Sequence, residues 1–269
     1  MDLIQVNKNK CVSCGACSNV CPRGIIYMDG EWPVSQEENF CIACGHCVAA
    51  CPNEALDNNR TPLQNQLPVS HPILEAEKAY HFLRSRRSIR HFTKEPVDRE
   101  RLLQLLDIAR YAPTGSNSQG VSYIVIQNRH TLSKISLATV DWMEEQMKSD
   151  PVLAKRYSGY VRIFRETERD IVLRDAPCLV VATAQKSFPR GWENTRYSLS
   201  YVELYAPSLG LGTCWMGFFE QCARSGYSPL LELLHLPEGH EVTGGIVVGY
   251  PVFRYYRLVE RNPLDITFA

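Results

Sequence analysis

The chain lacks several features that would assign it to a broad class of proteins. No run of about 18 apolar residues occurs, so a membrane-spanning helix is not expected. Lys+Arg and Asp+Glu both number 29, and the absence of a basic excess gives no support for nucleic-acid binding. The first ten residues, MDLIQVNKNK, are polar and contain no secretory signal, which predicts a reducing, cytoplasmic location. No G-x-G-x-x-G follows a predicted strand, so a nicotinamide-binding Rossmann unit is not expected.

Cysteine, in contrast, is abundant, and eight of the eleven cysteines form two runs. Each run reads C-x2-C-x2-C-x3-C-P, and the pattern repeats after 30 residues. This spacing resembles that of bacterial two-cluster ferredoxins, in which the fourth cysteine of a run binds the other cluster. The resemblance implies two 4Fe–4S clusters. Their ligands would be Cys11, Cys14, Cys17 and Cys51 for cluster one, and Cys41, Cys44, Cys47 and Cys21 for cluster two.

Other uses of cysteine fit the two runs less well. Zinc sites take four ligands per ion from paired Cys or His sets, which differs from a doubled four-cysteine run ending in Cys-Pro. A disulfide framework is typical of secreted chains. Gly15 and Gly45 follow the second cysteine of each run, where we expect the backbone to pass close to inorganic sulfide. The scattered Cys178, Cys214 and Cys222 are expected to be buried small hydrophobic side chains.

A change in composition near residue 57 divides the chain into domains. Residues 58–72 are polar, contain prolines and lack periodicity, which predicts a linker between domains 1–57 and 73–269. In the second domain Ile73, Ala76, Tyr80 and Leu83 recur at helical spacing, and Asp98 is a candidate N-cap for a helix stopped by Pro113. Apolar runs at 121–126, 179–184 and 246–250 predict buried strands, and the charged segment 131–175 predicts helices. The expected fold class is α+β, a helix-covered sheet with a small N-terminal domain.

Four motifs of the second domain carry a second resemblance. They are R-x-S-x-R-x-F at Arg86, Ser88, Arg90 and Phe92; A-P-x-x-x-N-x-Q at Ala112, Pro113, Asn117 and Gln119; G-L-G-T-x-W-x-G at Gly210, Leu211, Gly212, Thr213, Trp215 and Gly217; and G-Y-P at Gly249, Tyr250 and Pro251. Arginine forks and a serine hydroxyl are groups that bind phosphate, and amide side chains can contact the edge of a heteroaromatic ring. In this order the motifs resemble those of the nitroreductase family, whose members bind FMN.

The resemblance implies a nitroreductase-like fold and a set of FMN-binding residues. The phosphate and ribityl chain would be held by Arg86, Arg87, Ser88 and Arg90, with Arg261 joining from the end of the chain. Asn117 and Gln119 would contact the ring or the ribityl hydroxyls, and Met216 and Gly217 would bring their backbone near flavin N5. Family members are homodimers in which both subunits contribute to each FMN pocket. The resemblance therefore implies that the FMN-binding residues also include Pro113, Thr114 and Gly115. Thr114 and Gly115 would face the flavin of the partner subunit. No catalytic acid can be assigned.

The chain also departs from the family pattern. Gly120 and Val121 stand where many relatives have Pro-Trp, and Gly217 stands where a glutamate is common. Pro207 lies in a helix-like stretch, 197–209, where a proline is expected to disturb the helix.

Together the two resemblances predict an oxidoreductase that converts single electrons into pairs. Electrons from a low-potential donor, such as reduced ferredoxin, would pass through two 4Fe–4S clusters to FMN and then to a nitroaromatic or similar electron-poor acceptor. The alternatives are a reductive dehalogenase, an ene- or quinone reductase, or an electron-transfer module that serves a protein partner. No nucleic-acid or membrane partner is expected.

Overall fold

The computed structural model describes residues 2–69, 71, 74–167 and 169–269, and it divides the chain into two compact units. The first unit comprises residues 1–75 with 116–118, and the second comprises 76–115 with 119–269. The predicted linker, 58–72, begins with the last residue of a strand, the buried Asn58, and contains a 3₁₀ turn at Leu63–Asn65. Ser70 and Pro72 of that linker, and Ile73 of the predicted helix after it, lie outside the described residues.

The first unit is built from short elements arranged as two similar halves. They are β1 (Ile4–Val6), α1 (Ala16–Asn19), β2 (Ile26–Asp29), β3 (Trp32–Ser35), α2 (His46–Ala49) and β4 (Leu56–Asn58). β1 pairs with β4 and β2 pairs with β3, both antiparallel. Gly15 and Gly45 directly precede α1 and α2 with φ of 70° and 76°, a left-handed conformation that favours glycine. The backbone conformation is therefore a sufficient reason for glycine at both positions.

A four-stranded antiparallel sheet forms the centre of the second unit. The elements are α3 (Ala76–Ser85), α4 (Arg99–Asp107), β5 (Ser122–Ile126), α5 (Arg129–Ser149), α6 (Pro151–Thr167), β6 (Cys178–Gln185), α7 (Gly191–Tyr205), β7 (Gly212–Trp215), α8 (Gly217–Arg224), α9 (Ser228–Leu234) and β8 (His240–Gly249). The strand order is β5-β6-β8-β7. The three predicted strands are confirmed within a few residues, whereas β7 and the first half of β8 were not predicted because glycine and polar residues interrupt their apolar pattern.

Helices cover both faces of this sheet, which explains why its central strands are continuously apolar. On β6, Leu179 and Val181 pack into a core with residues of α5, α6, α8 and α9. The alternate residues Val180 and Ala182 pack into a second core with α4 and α7. Because successive side chains of a strand point to opposite faces, a strand between two helical layers buries every residue. The predicted α+β, helix-covered sheet is confirmed.

Two helix boundaries follow the predicted signals and one does not. Asp98 caps α4 as predicted, because its carboxylate accepts the backbone N–H of Arg101 at 2.8 Å. The prediction of helix over 131–175 is wrong for 169–175, where the chain leaves helical conformation after α6 and Asp170 accepts backbone N–H groups within a turn. α7 ends at Tyr205, and Pro207 lies in the 3₁₀ turn that follows, since proline has no N–H to continue the helix.

Within residues 2–69, 71, 74–167 and 169–269, no helix combines the length and the apolar composition that a membrane crossing needs.

Candidate functional sites

The eight cysteines of the two runs lie around two cavities of the first unit. Cys11, Cys14, Cys17 and Cys51 line one cavity, together with apolar residues such as Met28 and Leu56. Cys21, Cys41, Cys44 and Cys47 line the other, together with Ile26 and Asn58. Each cavity thus receives three cysteines of one run and the fourth cysteine of the other run. We refer to these as cavity one and cavity two.

The thiols surround the cavities rather than converge on a point. Within the described part of the chain, no three His, Cys, Asp or Glu side chains meet closely enough to hold a single metal ion. The donor chemistry nevertheless suits a 4Fe–4S cluster, which is held by four cysteine thiolates. Burial is the main cause that raises the pKa of Cys17 and Cys47, and neighbouring cysteines of the same cavity raise it further. Cysteines that bind iron would have to lose these protons on binding.

Hydrogen bonds are directed at cysteine sulfurs in both cavities. In cavity one the backbone N–H of Ala55 donates to Sγ of Cys51 at 3.1 Å. In cavity two the side-chain Nδ2 of Asn58 donates to Sγ of Cys47 at 3.7 Å. Such bonds are among the factors that set the reduction potential of a cluster.

In the second unit, three of the four motifs meet at β7: one forms this strand, the arginine segment bridges it, and the G-Y-P segment continues from β8, its neighbour in the sheet. Ser88 forms a parallel bridge with Thr213, and the backbone N–H of Ile89 donates to the carbonyl of Thr213 at 2.8 Å. Phe92 forms an antiparallel bridge with Pro251 of the G-Y-P motif. The structure therefore brings the arginine segment, the G-L-G-T-x-W-x-G segment and the G-Y-P segment together, although 117 residues, 93–209, separate the first from the second.

Close packing explains why these segments need glycine. A Cβ added to Gly212 would lie 2.5 Å from Cγ1 of Ile89, and one added to Gly249 would lie 2.9 Å from Cδ1 of Phe92. Both distances are shorter than van der Waals contact between carbon atoms. The glycines of the two later motifs thus let the arginine segment approach the sheet.

The arginines of the first motif have different surroundings. Nη1 of Arg87 is buried and has no hydrogen-bond partner among the described residues, while its guanidinium lies 4.7 Å from the ring centroid of Tyr255. Nη1 of Arg86 lies 3.7 Å from Oε1 of Glu203. Burial raises the pKa of Glu203, and the charge of Arg86 opposes this shift. A buried N–H without a partner is costly, so a phosphate accepting from Arg87 would fit this structure.

The remaining residues predicted to bind phosphate lie near the same segment. Arg90 is exposed and its Nη1 is 3.4 Å from the carbonyl of Ser88. Arg261 lines a cavity with Arg86 and Arg84, and Arg84 itself pairs with Glu260 at 3.4 Å. The structure thus brings the C-terminal arginine to the first motif.

The loop of the second motif is divided between the two units. Thr114 accepts the backbone N–H of Gln119 at 3.1 Å, and Gln119 lines a cavity of the second unit with Thr114. Residues 116–118 belong to the first unit, where Nδ2 of Asn117 donates to the carbonyls of Ile42 and Ala43 at 3.0 and 2.9 Å. The amide of Asn117 is therefore engaged by the backbone between Cys41 and Cys44, a use that the sequence did not predict.

Backbone geometry marks the same loop as unusual. Ser116, Asn117 and Gln119 have φ of 56°, 52° and 49°. Positive φ is uncommon for residues other than glycine and costs free energy unless the surrounding structure compensates. A Cβ added to Gly115 would lie 1.7 Å from Nη1 of Arg190, so a side chain there would require the Arg190 side chain to move. Pro113 directly precedes this constrained loop.

Met216 and Gly217 form the turn from β7 into α8. Met216 is buried, and its backbone N–H donates to the carbonyl of Gly245 at 2.9 Å. Gly217 is exposed, and nothing lies within 4 Å of a Cβ placed there. The backbone at this turn is therefore fixed on one side by the sheet and open on the other.

A polar network that no motif predicted lies beside this turn. The carboxylate of Glu220, which is only 8% exposed, accepts hydrogen bonds from the indole of Trp215 and from both terminal nitrogens of Arg196. The Arg196 guanidinium also lies 4.4 Å from the ring centroid of Trp215. Of the three residues only Trp215 falls within a motif, so no sequence signal marked the other two.

The three scattered cysteines are buried, which confirms the expectation that they are small hydrophobic side chains. Cys178 and Cys222 have no exposed area and Cys214 is 4% exposed. Burial raises the pKa of Cys178 and of Cys222 to about 12, so both thiols stay protonated at neutral pH.

A sheet of this order, with three motifs meeting where β7 pairs with β8, defines the class of protein. The chain belongs to the nitroreductase family, whose members are FMN-dependent oxidoreductases; the family model matches residues 83–250. A 4Fe-4S dicluster domain model matches residues 3–52. Both resemblances inferred from the motifs are thereby confirmed.

Individual relatives support the same assignment. The chain is 30% identical over 176 residues to the FMN reductase (NAD(P)H) of Bacillus subtilis (strain 168), a match covering 64% of this chain and 65% of that protein. The chain thus spans just under two thirds of that relative. It is 25% identical over 138 residues to an iodotyrosine deiodinase of Thermotoga neapolitana, covering 50% of this chain and 70% of that protein. A nitroreductase with bound FMN from Desulfitobacterium hafniense DCB-2 shares the fold, with a TM-score of 0.58 and 21% identity over 73% of this chain and 100% of that one.

Proposed function

We propose that this protein is an FMN-dependent oxidoreductase that receives electrons from a low-potential donor through two 4Fe–4S clusters. It would deliver them to a small electron-poor organic acceptor, of which a nitroaromatic compound is the leading candidate. One observation carries the proposal: eight cysteines lie in two sets of four around two cavities, in the same chain as a nitroreductase fold. Clusters of this type transfer single electrons, whereas bound FMN can exchange one electron or deliver a hydride.

The cysteines around each cavity would hold one cluster. Cavity one would use Cys11, Cys14, Cys17 and Cys51, and cavity two would use Cys21, Cys41, Cys44 and Cys47. Apolar residues such as Ile26 and Leu56 border the cavities and would limit the access of water. Exclusion of water is one of the factors that set a cluster's reduction potential.

The residues along the edge of β7 would hold FMN. Arg87 has the best support, because its buried Nη1 has no hydrogen-bond partner among the residues that the structure describes. Ser88 and Arg90 follow on the same segment, and Arg86 and Arg261 line one cavity beside it. Arg86 is also close to Glu203, whose carboxylate would orient the guanidinium.

The turn at Met216 and Gly217 would present backbone to the reactive edge of the flavin ring. The hydrogen bond from Met216 to Gly245 holds the turn on the sheet, and Gly217 leaves space above it. Asn117 and Gln119 would contact the flavin ring or the ribityl hydroxyls.

We also propose a homodimer, in which Thr114 and Gly115 would approach the partner's flavin. The segment after β8 supports association, because it exposes apolar side chains: Phe253, Tyr256, Leu264, Ile266 and Phe268 are each at least 58% exposed. Contiguous exposed apolar residues commonly mark an interface. Light scattering of the purified protein should give twice the mass of 30.6 kDa.

Anaerobic stopped-flow absorbance would test the electron path. Reduced ferredoxin should reduce the bound flavin much faster than NADPH does, and a nitroaromatic compound should then reoxidise it. A Cys14→Ala/Cys44→Ala variant, which removes one proposed ligand of each cluster, should keep FMN but lose reduction by ferredoxin. Equal or faster reduction by NADPH, the donor type named in the Bacillus subtilis relative, would overturn the proposed donor.

Reductive dehalogenation is the second candidate reaction. The similarity to an iodotyrosine deiodinase favours it, although that match covers only half of this chain. A halogenated phenol and a nitroaromatic compound, compared as acceptors for the reduced enzyme, would separate the two. Faster flavin reoxidation by the halogenated phenol, with release of halide, would favour dehalogenation.

A further inference from the structure

The two cavities of the first unit differ at one pair of equivalent positions. The 30-residue repeat pairs Cys47 with Cys17 and Asn58 with Met28. Met28 lines cavity one and Asn58 lines cavity two, so both side chains occupy corresponding places in the two halves. The amide of Asn58 can donate a hydrogen bond, whereas the thioether of Met28 has no donor.

The surroundings of Asn58 fix the direction in which its amide points. Its Oδ1 accepts the backbone N–H of Arg60 at 2.9 Å, which leaves Nδ2 facing Sγ of Cys47 at 3.7 Å. Asp57 accepts the N–H groups of Asn58 and Leu63 at 2.8 Å each and holds the same turn. Asn58 is only 3% exposed, so water does not compete strongly for this donor.

The corresponding cysteine of cavity one lacks this side-chain donor. The pKa of Cys17 is raised mainly by burial, and the hydrogen bonds that oppose the shift come from backbone groups of Cys17 and Ser18. Burial also raises the pKa of Cys47, and the hydrogen bond from the Asn58 side chain is the largest of the interactions that lower it. The bond from Ala55 to Cys51 in cavity one is made by the backbone, so an exchange of side chains at positions 28 and 58 leaves it in place.

We propose that Asn58 is a positioning residue that raises the reduction potential of the cluster in cavity two, and that Met28 leaves the cluster in cavity one without this effect. The inference rests on the proposed function, because it requires both cavities to hold clusters. A donor aimed at a ligand sulfur stabilises the added negative charge of the reduced cluster more than it stabilises the oxidised one. The two otherwise similar halves of the repeat would thereby acquire different potentials.

Reciprocal exchange of the two side chains tests the inference. Redox titration of the intact holoprotein, followed by electron paramagnetic resonance, should resolve two midpoint potentials. Asn58→Met should lower one of them by an amount that changes the reduction equilibrium about tenfold, or about 59 mV for one electron. Met28→Asn should raise the other. Asn65→Met, the same substitution at an exposed asparagine of the first unit, should move neither.

A second variant separates loss of the donor from damage to the fold. Asn58→Asp keeps an oxygen for the N–H of Arg60 but replaces the amide donor, and it should lower the same midpoint as Asn58→Met. Unchanged midpoints in both Asn58 variants with full iron content would overturn the inference. A shift of the same midpoint by Asn58→Met and Met28→Asn would also overturn it. Iron and sulfide analysis of the wild type shows whether the clusters are present at all. A wild-type protein without clusters would contradict the proposed function, and not only the role of Asn58.

Discussion

The indole N–H of Trp215 donates to the carboxylate of Glu220, five residues further along the chain. The same carboxylate accepts from both terminal nitrogens of Arg196, whose guanidinium stacks on the Trp215 ring. Because Met216 and Gly217 lie between Trp215 and Glu220, the network fixes both ends of the turn that is proposed to face the flavin.

Replacing Glu220 with glutamine should therefore loosen this turn. Glu220→Gln removes the charge that Arg196 pairs with and weakens the bond to Trp215, and we expect a loss of about 1–2 kcal/mol in the free energy of unfolding. Urea denaturation followed by tryptophan fluorescence measures it. Glu232→Gln on α9, an exposed position, is the matched control. Equal stability of the two variants would mean that the network contributes nothing measurable.

The crosswise grouping of cysteines makes a prediction about iron content. Cys11 and Cys51 line the same cavity although they belong to different runs. The double variant Cys11→Ala/Cys51→Ala should therefore lose only one cluster and keep about half of the wild-type iron and sulfide. The double variant Cys11→Ala/Cys21→Ala, with both changes in one run, should lose nearly all. The reverse result would show that each run binds its own cluster.

Arg87 should contribute strongly to FMN affinity. Arg87→Gln removes the guanidinium whose buried Nη1 is proposed to bind phosphate, and the dissociation constant for FMN should rise about 10- to 100-fold, the usual effect of a lost charged hydrogen bond. Quenching of flavin fluorescence on binding to deflavinated protein gives the constant. Arg162→Gln, at an exposed position on α6, should bind FMN like the wild type. A normal affinity in Arg87→Gln would remove Arg87 from the proposed site.

Arg165 links α5 and α6, and its effect on stability should depend on pH. It donates to Glu144 and Asp141, and the hydrogen bond from Arg165 is the main cause that lowers the pKa of Glu144. A lowered carboxyl pKa contributes stability above the unfolded value, about 4.3, and the contribution is lost as the pH falls through the lower folded value.

The exposed position of these groups limits the size of the effect. Arg165→Gln should cost about 0.5–1 kcal/mol near pH 7, and the difference from the wild type should shrink as the pH falls below about 4. Thermal unfolding of both proteins across this range, with Arg162→Gln as the control on the same helix, measures it. A difference that grows on acidification would contradict the assigned role of Glu144.

The sequence predicted those helices and strands that depend on interactions between residues close together in the chain. Asp98 caps α4 because the capping bond spans only three residues. The buried strands were found because runs such as 179–184 are apolar at every position. β7 escaped prediction, since only four residues form it and two of them are polar or glycine. The end of the helical segment at Thr167 also escaped prediction, because the charged pattern continues beyond it.

Residue types at fixed short spacings were enough to predict the classes of cofactor and the family. Tertiary structure decided which distant residues meet: Cys51 with Cys11, Ser88 with Thr213, and Arg196 with Glu220. It also turned Asn117 to the carbonyls of Ile42 and Ala43 and placed Asn58 against Cys47. Such contacts depend on how whole strands and helices pack, and no short window of sequence contains that information.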